Sequence, residues 1–275
     1  MRDQIKSAIG NVLITLFPKK AESLEKRGLT MIDQKFSFME RQMRNAILNK
    51  AEAKNNFDKL SKIHNSYWVN QGKDVFEWNN SFKNNFLPHC TFIYKIVKEK
   101  FFKDEIQFTT LVEIGTGNGD VLNYLESNFP EIDKFIGIDL SSEQIKINKE
   151  KYKENLRLEF IAADVIEWVK KEGHKNTIFA TSNGVFEYFT EHQLREFIKY
   201  THSLGKVLFI IIEPTVINHN FDLNPNSIVY GIEKSFSHNY CKIFHDFGFK
   251  IFHHSKKQIL GIGSNCEMNY ILAGN

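Results

Sequence analysis

Residues Leu111–Leu125 read LVEIGTGNGDVLNYL. An apolar run of strand character meets an acid, glycines follow at every second position (Gly115, Gly117, Gly119), and apolar residues then recur at helical spacing. In open α/β sheets, ligands bind beyond the carboxyl ends of strands, which is where this turn falls. A backbone that bare suits a dinucleotide, a phosphate, a sulfonium compound, or a structural turn with no ligand at all.

Outward from this turn the pattern keeps alternating. FTTLVEI, KFIGID, RLEFIAAD, TIFATS, VLFIIIEP, FKIFHHS and MNYILAG have strand character, while DVLNYLESNF, SSEQIKINKEKYKEN, VIEWVKKE and EHQLREFIKYTHSL have helical character. Strand and helix in alternation imply βαβ crossovers and a parallel sheet covered on both faces, an α/β fold. Before about Gln107 the chain reads differently. Met1 to Lys103 is helical with charged outer faces, broken at Pro18 and Pro88 and loosened over Asn65 to Lys73 (NSYWVNQGK). The expected division is a helical extension or cap at residues 1–103, with no assignable motif, and a second domain at 104–275.

Composition narrows the class. A 275-residue chain with 42% hydrophobic and 25% charged residues has the balance of a globular protein, and its 25 Phe suit a well-filled interior with an aromatic-lined cavity. Basic residues number 36 against 33 acidic, interspersed as in KKAESLEKRG and KEKFFKDE, which describes a solvated surface and not a phosphate-neutralising stripe. Cys90, Cys241 and Cys266 are far apart and lack CxxC spacing, so they read as buried free thiols in a reducing cytosol, with no metal site. In the first twenty residues Ile5, Ile9, Val12, Leu13 and Leu16 mark an amphipathic helix, too short to span a bilayer and without a cleavage site. Its apolar stripe, from Ile5 to Phe17, is a candidate surface for a homodimer.

The glycines discriminate among ligands. A Walker-type phosphate loop requires a Gly-Lys-Ser/Thr ending, which is missing, and a dinucleotide fingerprint requires a third glycine where this chain has Asp120. There remains a turn against which a ligand can lie, followed by a helix N-terminus whose N–H groups suit a carboxylate. EIGTGNG resembles the first motif of the class I S-adenosylmethionine-dependent methyltransferases, E/D-x-G-x-G-x-G. The resemblance covers roughly residues 108–275 and implies a Rossmann-like doubly wound sheet with a C-terminal antiparallel strand pair. It implies S-adenosylmethionine as cofactor, held by Gly115, Thr116, Gly117, Asn118 and Gly119, with Glu113 as a buried acid bracing the loop. Asp139, in FIGIDL with Leu140, matches the acid that takes both ribose hydroxyls, for which a carboxylate is a natural bidentate acceptor. Asp164 in IAADVIEW matches the acid that receives the adenine amino group, with the Val165 N–H beside the ring. Ser182, Asn183 and Gly184 of TSNGVFEYFT close the pocket. In many small-molecule relatives an N-terminal segment forms a lid, a role that falls here to Tyr67 and Trp68. Each station has a structural alternative: a plain strand-to-helix turn, a cap by Asp139 near Ser141, an N-cap by Asp164. Four of them at successive strand ends favour the cofactor.

The resemblance implies displacement of the sulfonium methyl by an acceptor nucleophile, in which alignment and water exclusion supply much of the rate. A base is required only when the acceptor must lose a proton. No Asn/Asp-Pro-Pro-aromatic run follows the fourth strand and no Pro-Cys pair is present, which disfavours a base in DNA. The polar connection EPTVINHNFDLNPNSIVYGIEKSFSHNY offers Glu213, His219 and His238 as candidate bases. Glu187 is a candidate for cofactor or substrate contact, whereas His253 and His254 read as structural. The expectation is a cytoplasmic methyltransferase acting on a small molecule, a sugar or secondary metabolite, with O-methylation ahead of N-methylation and neither DNA nor membrane as partner. The alternatives are a protein or RNA methyltransferase docked through the extension, and a non-catalytic cofactor-binding subunit.

Overall fold

The computed structural model describes residues 2–31, 36–102, 108–258 and 265–275. Its first part is helical: α1 (Arg2–Leu16), α2 (Pro18–Arg27), α3 (Phe38–Ala53) and α4 (Phe57–Asn79). Pro18 sits in the first turn of α2, where its missing N–H costs no hydrogen bond. At the start of α3 a capping box pairs Ser37 and Glu40 reciprocally. The loosening expected over Asn65–Lys73 does not occur, because α4 runs straight through it. Leu60, Ile63, His64 and Tyr67 are buried at i, i+3, i+4 and i+7, and this stripe outweighs the local polarity. The break at Pro88 is present: a π turn (Phe82–Phe86) leads into the short α5 (Leu87–His89), and α6 (Thr91–Phe101) follows.

Strands and helices then alternate as expected: β1 (Thr110–Ile114), α7 (Asp120–Asn128), β2 (Lys134–Asp139), α8 (Ser142–Lys151), β3 (Leu158–Ala162), α9 (Val165–Glu172), β4 (Thr177–Ala180), α10 (Glu191–Ser203), β5 (Val207–Val216). A ribbon of β6 (Ile228–Tyr230) and β7 (Ser235–Ser237) precedes α11 (Tyr240–Asp246), β8 (Lys250–Lys257) and β9 (Cys266–Gly274). The main sheet has the order β3-β2-β1-β4-β5-β9-β8; β1 to β5 are parallel, and β9 runs antiparallel to both β5 and β8. The fold is thus the expected doubly wound Rossmann-like sheet with an antiparallel C-terminal pair. β1 pairs with β2 on one side and β4 on the other, so the order reverses at the end of β1, where the glycine turn lies.

Alternate residues of each strand feed opposite faces. Leu111, Phe135, Ile178 and Leu208 pack with α6, α7 and α8, whereas Val112, Ile136, Phe179 and Phe209 pack with α9, α10 and α11. The expected division between 103 and 104 lies outside the described residues. A third core joins Leu24, Met43, Ile47, Leu60 and Ile63 of the N-terminal helices to Phe236 of β7, so the ribbon is tied to the cap.

Candidate active site

The chain between β1 and α7 turns left at each of the three glycines, with φ of +68° at Gly115, +52° at Gly117 and +76° at Gly119. A Cβ at Gly115 would strike Val185, and one at Gly119 would strike Tyr152 and Phe160. Alternation of glycine is therefore a conformational and packing requirement of the loop. Asn148 of α8 donates to the Gly117 carbonyl at 2.7 Å, and the Gly117 N–H donates to Asp139 Oδ2 at 3.0 Å. Ser141 N–H donates to the other oxygen, Oδ1, at 2.9 Å, so two backbone donors fix the Asp139 carboxylate at the end of β2. Ser141 itself caps α8, which removes the capping alternative for Asp139. Asp164 does cap α9, through Oδ1 to the Ile166 and Glu167 N–H groups, and lines the cleft as well. Asp120 accepts from Lys151 and Tyr152 at 2.7 and 2.8 Å.

One cleft of about 980 Å³ joins these strand ends to the cap, at the upper end of the ~300–1,000 Å³ typical of small-molecule pockets. Gly115, Thr116, Gly117, Asn118, Asp139, Leu140, Asp164, Val165, Ser182, Asn183 and Gly184 line it, as does Trp68 from α4. Tyr67 is buried behind Trp68, with its ring edge-on to the indole at 5.3 Å, so it supports the wall and does not form it. Gly119 and Glu113 also sit behind the lining. The Glu113 carboxylate accepts from the hydroxyls of Thr116 and Ser182, each at 2.8 Å, and ties the first loop to the one after β4. Burial pushes its pKa up to about 7.

The three candidate bases lie elsewhere. Glu213 is fully buried in β5, and its carboxylate accepts from the Val185 and Phe186 N–H groups at 2.9 and 3.0 Å. It braces the turn after β4, and burial raises its pKa to about 7. His238, also buried, bonds through Nε2 to the Phe186 and Phe189 carbonyls and through Nδ1 to Ser227 Oγ. Both ring nitrogens are thereby engaged, and burial lowers its pKa to about 4. His219 likewise spends its nitrogens on Ser237 Oγ and the Asn224 carbonyl, both at 3.0 Å. None of the three lines the cleft. Glu187 does, together with Tyr188, Gln193, Tyr230 and Glu233; of these only Glu187 was a candidate from the sequence, and Tyr230 and Glu233 were visible only as members of the polar connection. His253 and His254 are in β8, away from the cleft. Cys90 is buried while Cys241 and Cys266 are partly exposed, and all three thiols are free. No helix among the described residues is long and apolar enough to cross a membrane.

Residues 111–206 match a family model described as a methyltransferase domain. Among solved structures the chain is similar to magnesium protoporphyrin IX methyltransferase from Synechocystis PCC 6803 with bound S-adenosylmethionine, at 15% identity over 78% of this chain and 97% of that one, TM-score 0.55. It is also similar to a SAM-dependent methyltransferase from Leishmania major, at 11% identity over 74% of this chain and 82% of that one, TM-score 0.50. At these identities the likeness is one of fold. A comparison with curated proteins found no match. With the glycine turn and its acids in place, residues 111–206 form a methyltransferase domain of the class I type, an enzyme domain whose cofactor is S-adenosylmethionine.

Proposed function

We propose that the chain methylates a small molecule held between the strand ends and the helical cap formed within residues 1–103. The observation that carries this is the continuity of the cleft, which runs from the glycine turn past Gly184 to Trp68, Tyr188 and Tyr230 without a break. Residues at the sheet end fit the cofactor. Gly115 and Gly117 leave the backbone bare, Asp139 holds a fixed carboxylate for two hydroxyls, and Asp164 keeps one oxygen for an amino group beyond its cap. When bound there, S-adenosylmethionine supplies an activated methyl group. The protein's part is to align the acceptor and exclude water, and Trp68, packed 5.4 Å from Tyr188, closes that end as a lid element.

Among the described residues no Lys, Arg or His lines the cleft, which weighs against an RNA acceptor. Exposed Ile9, Val12 and Leu16 on α1, with Phe17 just after it, remain once Leu13 and Ile14 pack toward the cap core, and they are our candidate for a homodimer contact. Sedimentation of a monomer at micromolar concentration would remove that contact. Free thiols fit a reducing, cytoplasmic setting. The test of function is incubation of the protein with trideuteromethyl-labelled cofactor and a small-molecule extract, followed by mass spectrometry. A labelled small product supports the reading; cofactor binding with no labelled product supports the non-catalytic alternative.

A further inference from the structure

Beyond the cofactor's residues, Glu187 is the carboxylate most deeply set in the cleft wall. It follows the β4 loop in a short 3-10 turn, Phe186–Tyr188, and its Oε1 lies against Gly184, where a Cβ would occupy the same space. Gly184 has φ +72°, so chain direction and missing side chain together make room for that oxygen. Oε2 accepts from the Tyr230 hydroxyl at 2.6 Å. Among the described residues no cation pairs with it.

Its place in the cleft wall distinguishes it from the fully buried acids Glu113 and Glu213. Glu213 has backbone N–H donors and Glu113 has two hydroxyls, and each ties loops together away from the lining. Glu233, on the turn between β6 and β7, has Arg44 nearby and accepts weakly from the Tyr188 hydroxyl. A half-buried carboxylate that faces a cleft without a counter-charge is placed to meet a cationic group of a ligand. The chain has 36 Lys and Arg, yet none is found among the described lining residues.

We propose that the acceptor is an amine and that Glu187, oriented by Tyr230, receives its nitrogen and takes its proton. This rests on reading the cleft as a methyl-transfer site, and it departs from the expectation of a hydroxyl acceptor. An amine arriving as ammonium gives one proton to the Glu187 carboxylate. The lone pair so freed forms the N–CH3 bond, the C–S bonding pair stays on sulfur to give neutral S-adenosylhomocysteine, and the product leaves as a methylammonium. Glu187 then returns its proton to water. Its surroundings keep the carboxyl suited to this: burial, with Glu233 and Glu213 facing it from the ribbon and from β5, raises its pKa to about 8, while Tyr230 and Ser235 donate to it. Tyr188 on its own turn, Cys266 on β9 and Tyr240 on α11 are the other titratable groups that interact with it.

The probe is sinefungin, in which an amine-bearing carbon replaces the methyl sulfonium, compared with S-adenosylhomocysteine by calorimetry on the full chain. Glu187→Gln should keep its affinity for S-adenosylhomocysteine while losing at least about tenfold for sinefungin, the order expected of one charge-assisted hydrogen bond. Tyr230→Phe should show a smaller loss in the same direction. Equal losses for both ligands, or none for either, would overturn the role of Glu187. Failure of the unaltered protein to bind either ligand would instead bring down the underlying cleft assignment, and the proposal with it. In the labelled product the deuteriomethyl group should be on nitrogen; a label on oxygen rejects the amine.

Discussion

Gly119 does not line the cleft, yet the loop depends on it. Its φ of +76° and the close approach of Tyr152 and Phe160 leave no place for a side chain. Gly119→Ala is expected to destabilise the protein by about 2–3 kcal/mol, from a left-handed residue plus overpacking, readable in urea unfolding. At this scale the cleft-lining residues were legible because the period-2 pattern of a strand fixes where it ends, and the residues just past those ends line the cleft. Asp139 and Asp164 follow from that rule. The candidate bases did not, since a histidine in a long connection can meet either the cleft or a carbonyl. His238 meets the carbonyls of Phe186 and Phe189, a contact set by how β7 docks on the turn after β4.

The cap and the β6–β7 ribbon act as one element. Arg44 of α3 is buried, donating through Nε to the Leu29 carbonyl at 2.7 Å and through Nη2 to the carbonyls of Thr30 and Ile232 at 2.5 and 3.2 Å. His64 of α4 accepts from Thr30 Oγ1 at 2.8 Å and donates to the Lys234 carbonyl at 3.1 Å. These bonds hold Tyr230 and Glu233 in the wall of the cleft. Arg44→Leu should cost about 3 kcal/mol, because it strands buried carbonyls and leaves Glu233 without its cation. In the same variant the affinity for S-adenosylhomocysteine should change little, while amide hydrogen exchange of residues 228–237 rises. Strands of three residues carry too little periodicity to be read from sequence, so the ribbon was visible only as a long polar connection. The helices of the cap were legible from their apolar spacing, but their docking onto Phe236 was not.

For the whole molecule, buried titratable groups set a pH dependence. Glu113 and Glu213 are raised to about 7 and Glu187 to about 8, so the folded state holds these protons more tightly than the unfolded chain does. Stability therefore falls as pH rises from the ordinary carboxyl range through about 8. His64 and His238, lowered by burial to about 4, act oppositely but only up to the ordinary histidine pKa of about 6.5. Above that only the carboxyls remain, and the melting temperature of the ligand-free protein should drop between pH 6.5 and about 8. Glu187→Gln should flatten the drop, as a differential scanning measurement across that window would reveal. The sheet that organises these groups was legible in the alternation of runs, since each crossover leaves a mark of its own period. The acceptor's nature was not, because it depends on which charges the folded chain leaves unpaired. The central claim is that the strand ends around the glycine turn bind S-adenosylmethionine, and calorimetric titration with S-adenosylhomocysteine, repeated on Asp139→Ala, tests it most directly. Micromolar binding that weakens at least about tenfold in the variant is the expected result, as two hydrogen bonds to a carboxylate are lost. A folded protein that binds nothing, or a variant that binds as well as the parent, would contradict it.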